Sequence, residues 1–136
     1  MAYALLSVGL MGLLVFLLGF NVSRVRGSVM HTQHEAEGDP KSPLRKAIRA
    51  HGNCIEYAPT LSLLILALGL RLPLMPWWIA AVMLAAVASR YIHAAGVLTG
   101  ESVYKGTPLK FIGALGTYIT GAVLSVLLVL HAASLF

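Results

Sequence analysis

The chain has 136 residues, 58% of them hydrophobic and 11% charged, with a mean hydropathy of +0.82. A soluble domain carries about a quarter charged residues, so the composition excludes an ordinary soluble four-helix domain and points to a single-domain integral membrane protein. The formal charge of +5 does not mark a nucleic-acid partner, because the basic residues flank apolar spans instead of gathering on a soluble face.

Four helices account for the pattern, and the expected architecture is all-α: an up-down-up-down four-helix membrane bundle. The first helix covers residues 2–25. Met1 to Val22 is free of charge and long enough to cross a bilayer core. Its start, MAYALLSVGL, has no basic n-region, and no small-residue cleavage site closes the span. It therefore reads as a retained helix, not a signal peptide. A polar loop, RGSVMHTQHEAEGDPK, follows, with Glu35, Glu37 and Asp39 read as solvated. Ser42-Pro43 has the form of an N-cap with proline at the first helical position, opening a second helix over 43–70. The linker Arg71-Leu72-Pro73 is short, so helices two and three form a hairpin. Trp77 and Trp78 stand where an aromatic belt sits, at the start of a third helix over 76–98. After the loop LTGESVYKG, Thr107-Pro108 repeats the start signal for a fourth helix over 108–135. On it, Gly113, Thr117 and Gly121 form a stripe of small residues that permits close helix approach.

Lysine and arginine placement sets the orientation. Arg24, Arg26, Lys41, Arg45, Lys46 and Arg49 lie between spans one and two, and Arg90, Lys105 and Lys110 lie on the three-to-four side. The opposite side has only Arg71. The positive-inside rule puts both polar loops in the cytoplasm and both termini outside.

The second span begins with an unusually polar stretch, IRAHGNCIEYAP. The run from Tyr57 to Leu70 covers roughly 21 Å of helix at 1.5 Å per residue, whereas the hydrocarbon core needs about 30 Å. The span must therefore reach back to His51, which sets Glu56 roughly 8 Å inside the loop-side boundary. Counting from Pro76 sets Arg90 roughly 9 Å inside the same boundary. At about 100° per residue, Arg45, Arg49, Asn53, Glu56 and Thr60 fall within roughly an 80° arc, while His51 and Cys54 point away. Arg90, His93 and Val97 share a face of the third helix. Pro59 leaves the Ile55 carbonyl without its helical donor, close to Glu56.

Ionisable groups at membrane depth are costly and face a bundle interior or a water-filled cavity. One reading is a structural network in which Arg90 pairs with Glu56 and Asn53 satisfies backbone. The other is a ligand site. Arg49, Arg90, Lys110 and one of Arg24 or Arg26 surround a single intramembrane carboxylate, so the excess cation calls for an anion. Asn53 and Glu56 add an acceptor for an ammonium. A zwitterion with several carboxylates satisfies both features.

RAHGNCIEYAP resembles the signature of the MAPEG family, the membrane-associated proteins of eicosanoid and glutathione metabolism. The pattern, carried here by Arg49, Ala50, His51, Asn53, Glu56 and Pro59, opens the second transmembrane helix. Length, four spans and topology agree with it across nearly the whole chain. The stretch Gly38 to Pro40 is similar to that of the small bacterial inner-membrane branch. The resemblance implies a homotrimer of four-helix protomers with glutathione, as co-substrate, bound between adjacent protomers near the cytoplasm. Arg49, Asn53, Glu56 and Tyr57 match second-helix glutathione ligands, Arg90 and His93 match third-helix ligands, and Arg24 or Arg26 matches the first-helix arginine. Two positions depart from the pattern. Val97 stands where a tyrosine is expected, and the thiol-activating arginine is best matched by Lys110, with Lys105 as second choice. The implied activity is that of a glutathione transferase or peroxidase acting on lipophilic electrophiles that enter from the bilayer.

Two other functions compete: a glutathione-binding or scaffold protein of the same fold without catalysis, and a small cation-coupled exporter built around a lone membrane glutamate. The arginines beside Glu56 disfavour the exporter, because they repel cationic drugs. No metal site is expected, since His31 and His34 lack a cysteine partner. His51 and His93 face apart, which speaks against a haem between them. Cys54 is the only cysteine, so there is no intrachain disulfide, and it reads as a packed small hydrophobe.

Overall fold

The computed structural model describes residues 1–72 and 74–136. Five helices follow one another: α1 (Ala2–Ser28), α2 (Gln33–Gly38), α3 (Pro43–Arg71), α4 (Trp77–Thr99) and α5 (Pro108–Ala133), with no strand among the described residues. α1, α3, α4 and α5 are each long and apolar enough to cross a membrane, and they are the four expected spans. The loops before α3 and before α5 lie together at one end of the bundle, called here the loop end. Pro73 of the expected interhelical linker lies outside the described residues.

The helix starts are built as the sequence predicts. Ser42 Oγ accepts the Arg45 N–H at 3.0 Å, and Thr107 Oγ1 accepts the Lys110 N–H at 3.3 Å, each with proline at the next position. α3 runs through Pro59 without interruption. Two boundaries differ from expectation: α1 continues to Ser28, and the loop read as solvated contains α2. A helix of six residues does not hold alone in water. This one is tied down by the Arg26–Glu37 ion pair at 3.6 Å and by the Ser42 hydroxyl, which donates to the Ala36 carbonyl.

Each span turns a narrow face inward. On α1 this face is Ala4, Ser7, Met11, Leu14, Leu18, Val22 and Val25, spaced three or four apart. α3 presents Ala47, Ala50, Cys54 and Ala58, whose small side chains let its neighbours approach. Large apolar side chains such as Phe16, Phe20, Leu63 and Phe111 face outward, as a lipid-facing surface requires. Tyr91 ties α4 to α1 by donating to the Leu10 carbonyl at 3.0 Å. Cys54 is fully buried, and His51 lies against Gly19 of α1, both off the polar stripe as expected.

The most extensive helix contact joins α4 and α5. A Cβ at Gly113 would collide with the His93 backbone, and one at Gly96 would come within 2.7 Å of the Lys110 nitrogen. Gly121, at the far end of the same stripe, has more room, its Cβ meeting Leu61 Cδ2 at 3.4 Å. Gly113→Val is therefore expected to cost about 1–3 kcal/mol through overpacking, whereas Gly121→Ala is nearly silent. Thermal unfolding of the detergent-solubilised variants checks this, and equal midpoints would show that the α4–α5 spacing is adjustable.

Candidate functional site

The site grows from one buried side chain. Arg90 is 1% exposed and sits where α4 meets α3 and α5. Its Nη2 donates to the Asn53 side-chain oxygen at 2.7 Å and to the Asn53 carbonyl at 3.1 Å, and its Nη1 donates to Thr117 Oγ1 at 3.2 Å. The guanidinium carbon lies 5.2 Å from the centroid of the Tyr57 ring, a cation–π distance. These partners are all neutral. The expected alternative, a direct Arg90–Glu56 pair, does not form.

Asn53 stands between them instead. With its oxygen taken by Arg90, its amide nitrogen donates to Glu56 Oε2 at 3.2 Å. The two bonds fix which way the amide faces, because only the oxygen accepts and only the nitrogen donates. The other Glu56 oxygen lies 3.5 Å from Arg49 Nη1. Both of these side chains are about half exposed, at 50% and 54%. The chain Arg90–Asn53–Glu56–Arg49 thus runs from the bundle interior to an open face. Glu56 reaches that face already oriented, with room for a further partner.

Glu56 also heads a groove of about 360 Å³ between α3 and α5. At its polar end the Tyr57 and Tyr118 hydroxyls are 3.3 Å apart, with the two rings edge to face. Further along, Leu61, Leu64, Gly121 and Ala122 line it. One end can hold charge, and the other suits an apolar chain.

The remaining expected site residues make their bonds elsewhere. His93 is half-buried, and its Nδ1 sits 3.0 Å from the Lys110 carbonyl. A carbonyl can only accept, so Nδ1 carries the proton and Nε2 is the free nitrogen. Arg24 bonds to Asn21 of its own helix at 2.9 Å, and Arg26 pairs with Glu37. Neither contacts the Asn53–Glu56 pair. Lys105 is engaged with Glu101 at 2.5 Å.

Lys110 departs furthest from expectation. Its ammonium donates to the carbonyls of Ser102 and Lys105, both at 2.7 Å, and of Val103 at 3.4 Å. All three donors are spent on the loop before α5. Val97 is buried in the core, as a valine on the inner face of α4 should be. Sequence reasoning missed the role of Thr117, assigning it to packing because it stands in a stripe of small residues. It also missed Tyr118, which no motif singles out.

A four-span helical membrane protein with a polar network inside its loop end is the class that these features define. The model of the MAPEG family matches residues 3–130, and the chain belongs to that family. No curated protein and no solved structure matches the chain.

Proposed function

We propose that this protein binds glutathione at the loop end and uses its thiolate against lipophilic electrophiles, as a glutathione transferase or peroxidase. The observation that carries the reading is the half-exposed Glu56 carboxylate, aimed by Asn53 and Arg90 and flanked by Arg49. It offers an acceptor for the ammonium, beside cations for the carboxylates. On this reading the protein is a homotrimer in a bacterial inner membrane, with its termini periplasmic and its site towards the cytoplasm. Tyr57 and His93 complete the pocket, and Arg24 or Arg26 enters from the adjacent protomer.

A nearby cation favours the charged form of the thiol, and the thiolate is the nucleophile. In conjugation the sulfur forms a C–S bond while the leaving group departs with its electron pair. In peroxide reduction two glutathione thiols become a disulfide as the O–O bond takes two electrons. The groove beside Glu56 would admit the electrophile sideways from the bilayer. Because the ammonium of Lys110 is held by three carbonyls, the cation beside Glu56 with donors to spare is Arg49, and Lys110 acts chiefly by holding the loop.

A glutathione-binding role without chemistry is the second reading. The engagement of Lys110 by the loop and the burial of Val97 favour it. Ultraviolet difference spectra on glutathione titration, with calorimetry alongside, separate the two. A saturable thiolate band supports catalysis, and heat of binding without a band supports the second reading. Absence of both removes glutathione from the site. Glu56→Gln should weaken glutathione binding by about tenfold to a hundredfold, the size of a charge-assisted hydrogen bond, with the unfolding midpoint preserved because Glu56 is half exposed. Unchanged affinity would take Glu56 out of the site.

A further inference from the structure

A second hollow, of about 410 Å³, lies beyond Arg49 at the loop end, lined by Arg45, Arg49, Val103 and Tyr104. Two arginines and no acidic residue line it. Arg45 stands one turn before the RAHGNCIEYAP motif, and its side chain has no hydrogen-bond or ion-pair partner among the described residues, although the residue is only partly exposed. The neighbouring acids bond elsewhere. Glu37 is with Arg26, Asp39 accepts from the Lys41 N–H, Glu56 is with Arg49 and Asn53, and Glu101 is with Lys41 and Lys105.

The opposite wall is fixed. The Val103 N–H donates to the Pro40 carbonyl at 2.9 Å, joining the two loops, and the Val103 carbonyl accepts from Lys110. The Tyr104 N–H donates to Ser102 Oγ at 3.3 Å, while its side chain stays 79% exposed at the rim. A lone guanidinium with five donors, facing a rigid wall and an aromatic ring, suits a planar anion.

The geometry points to a second anion subsite, in which Arg45, with Tyr104 at the rim, takes the far carboxylate of a ligand whose ammonium lies at Glu56. It rests on the glutathione reading and adds to it residues outside the family motif. The Cα atoms of Arg45 and Glu56 are eleven residues apart, about 16 Å along α3. Glu56 Oε2, however, lies 3.2 Å from the Asn53 amide nitrogen, so the span to cover is closer to that between Arg45 and Asn53, about 12 Å. An extended tripeptide covers about 10 Å, and the arginine side chain closes the difference.

The test is calorimetry on the full-length protein in detergent, with two probes: glutathione and its glycine-carboxylate monoethyl ester. Wild type should bind the ester about tenfold more weakly than glutathione. Arg45→Gln should bind glutathione about tenfold more weakly than wild type and lose the distinction between the two probes, as expected when one charge-assisted hydrogen bond is absent from both. Tyr104→Ala should move the same way by less. Wild-type binding of glutathione with no change in Arg45→Gln overturns the subsite alone. No binding by wild type overturns the subsite and the glutathione reading together. If Arg45→Gln keeps its glutathione affinity but loses co-purified phosphatidylglycerol, the occupant is a lipid phosphate and the subsite as stated falls.

Discussion

Replacing Arg90 with leucine is expected to leave the protein as stable as before, or more so, while lowering its affinity for glutathione by about tenfold or more. Two magnitudes decide the sign. Removing an ion from water costs several kcal/mol even after relaxation, and Arg90 recovers none of this from an opposite charge within bonding distance. On the other side, the acceptors it abandons are cheap to release. The Asn53 carbonyl has its helical donor, Asn53 is only half buried, and Thr117 keeps its bond to the Gly113 carbonyl at 2.7 Å. Desolvation therefore outweighs the lost bonds. Binding falls because Asn53 loses the bond that anchors its oxygen, which leaves its amide and the Glu56 carboxylate less firmly aimed. Thermal unfolding and calorimetry on the same sample check both halves. A loss of more than about 2 kcal/mol of stability would make Arg90 a structural residue.

Lys110→Met is expected to loosen the loop over residues 100–107 and to lower ligand binding and thiolate formation together. Three carbonyls lose their shared donor, at roughly 1 kcal/mol or more each. The loop also carries Val103 and Tyr104, so the fault spreads to the wall beside Arg49. Lys110→Arg should recover part of the binding, since a guanidinium can still donate to several carbonyls. Hydrogen exchange over residues 101–106, followed beside a glutathione titration, distinguishes this from direct activation. Unchanged exchange with loss of the thiolate band alone would return Lys110 to the role of thiol activator.

The sequence was most informative where a single physical rule acts alone. Span length placed the four helices, and the Ser-Pro and Thr-Pro pairs placed two helix starts, because capping is decided within four residues. Depth brought Glu56 and Arg90 to one level, and facing put Asn53 on the same stripe as Glu56. They could not choose partners, because Asn53 and Glu56 share a face only one turn apart, and either can reach the guanidinium. The destination of Lys110 was not legible, since it depends on the path of the loop before α5. Nor was α2, whose stability comes from Arg26 and Ser42 and not from its own six residues. Tyr118 escaped for a similar reason: a lone tyrosine on an apolar helix carries no periodic signal.

The position of Arg90 also bears on how the chain is assembled in the bilayer. Its partners come from α3, made before it, and from α5, made after it. A nascent chain ending at Thr99 would present that guanidinium to hydrocarbon with only Asn53 and the Tyr57 ring to receive it. An arginine at the centre of a lone helix disfavours its insertion by about 2.5–3.5 kcal/mol, and Arg90, nearer the loop end, carries part of that cost. Thr117 and the glycine face of α5 complete its surroundings. α5, made after α4, is thus the span that closes the protein around its charge.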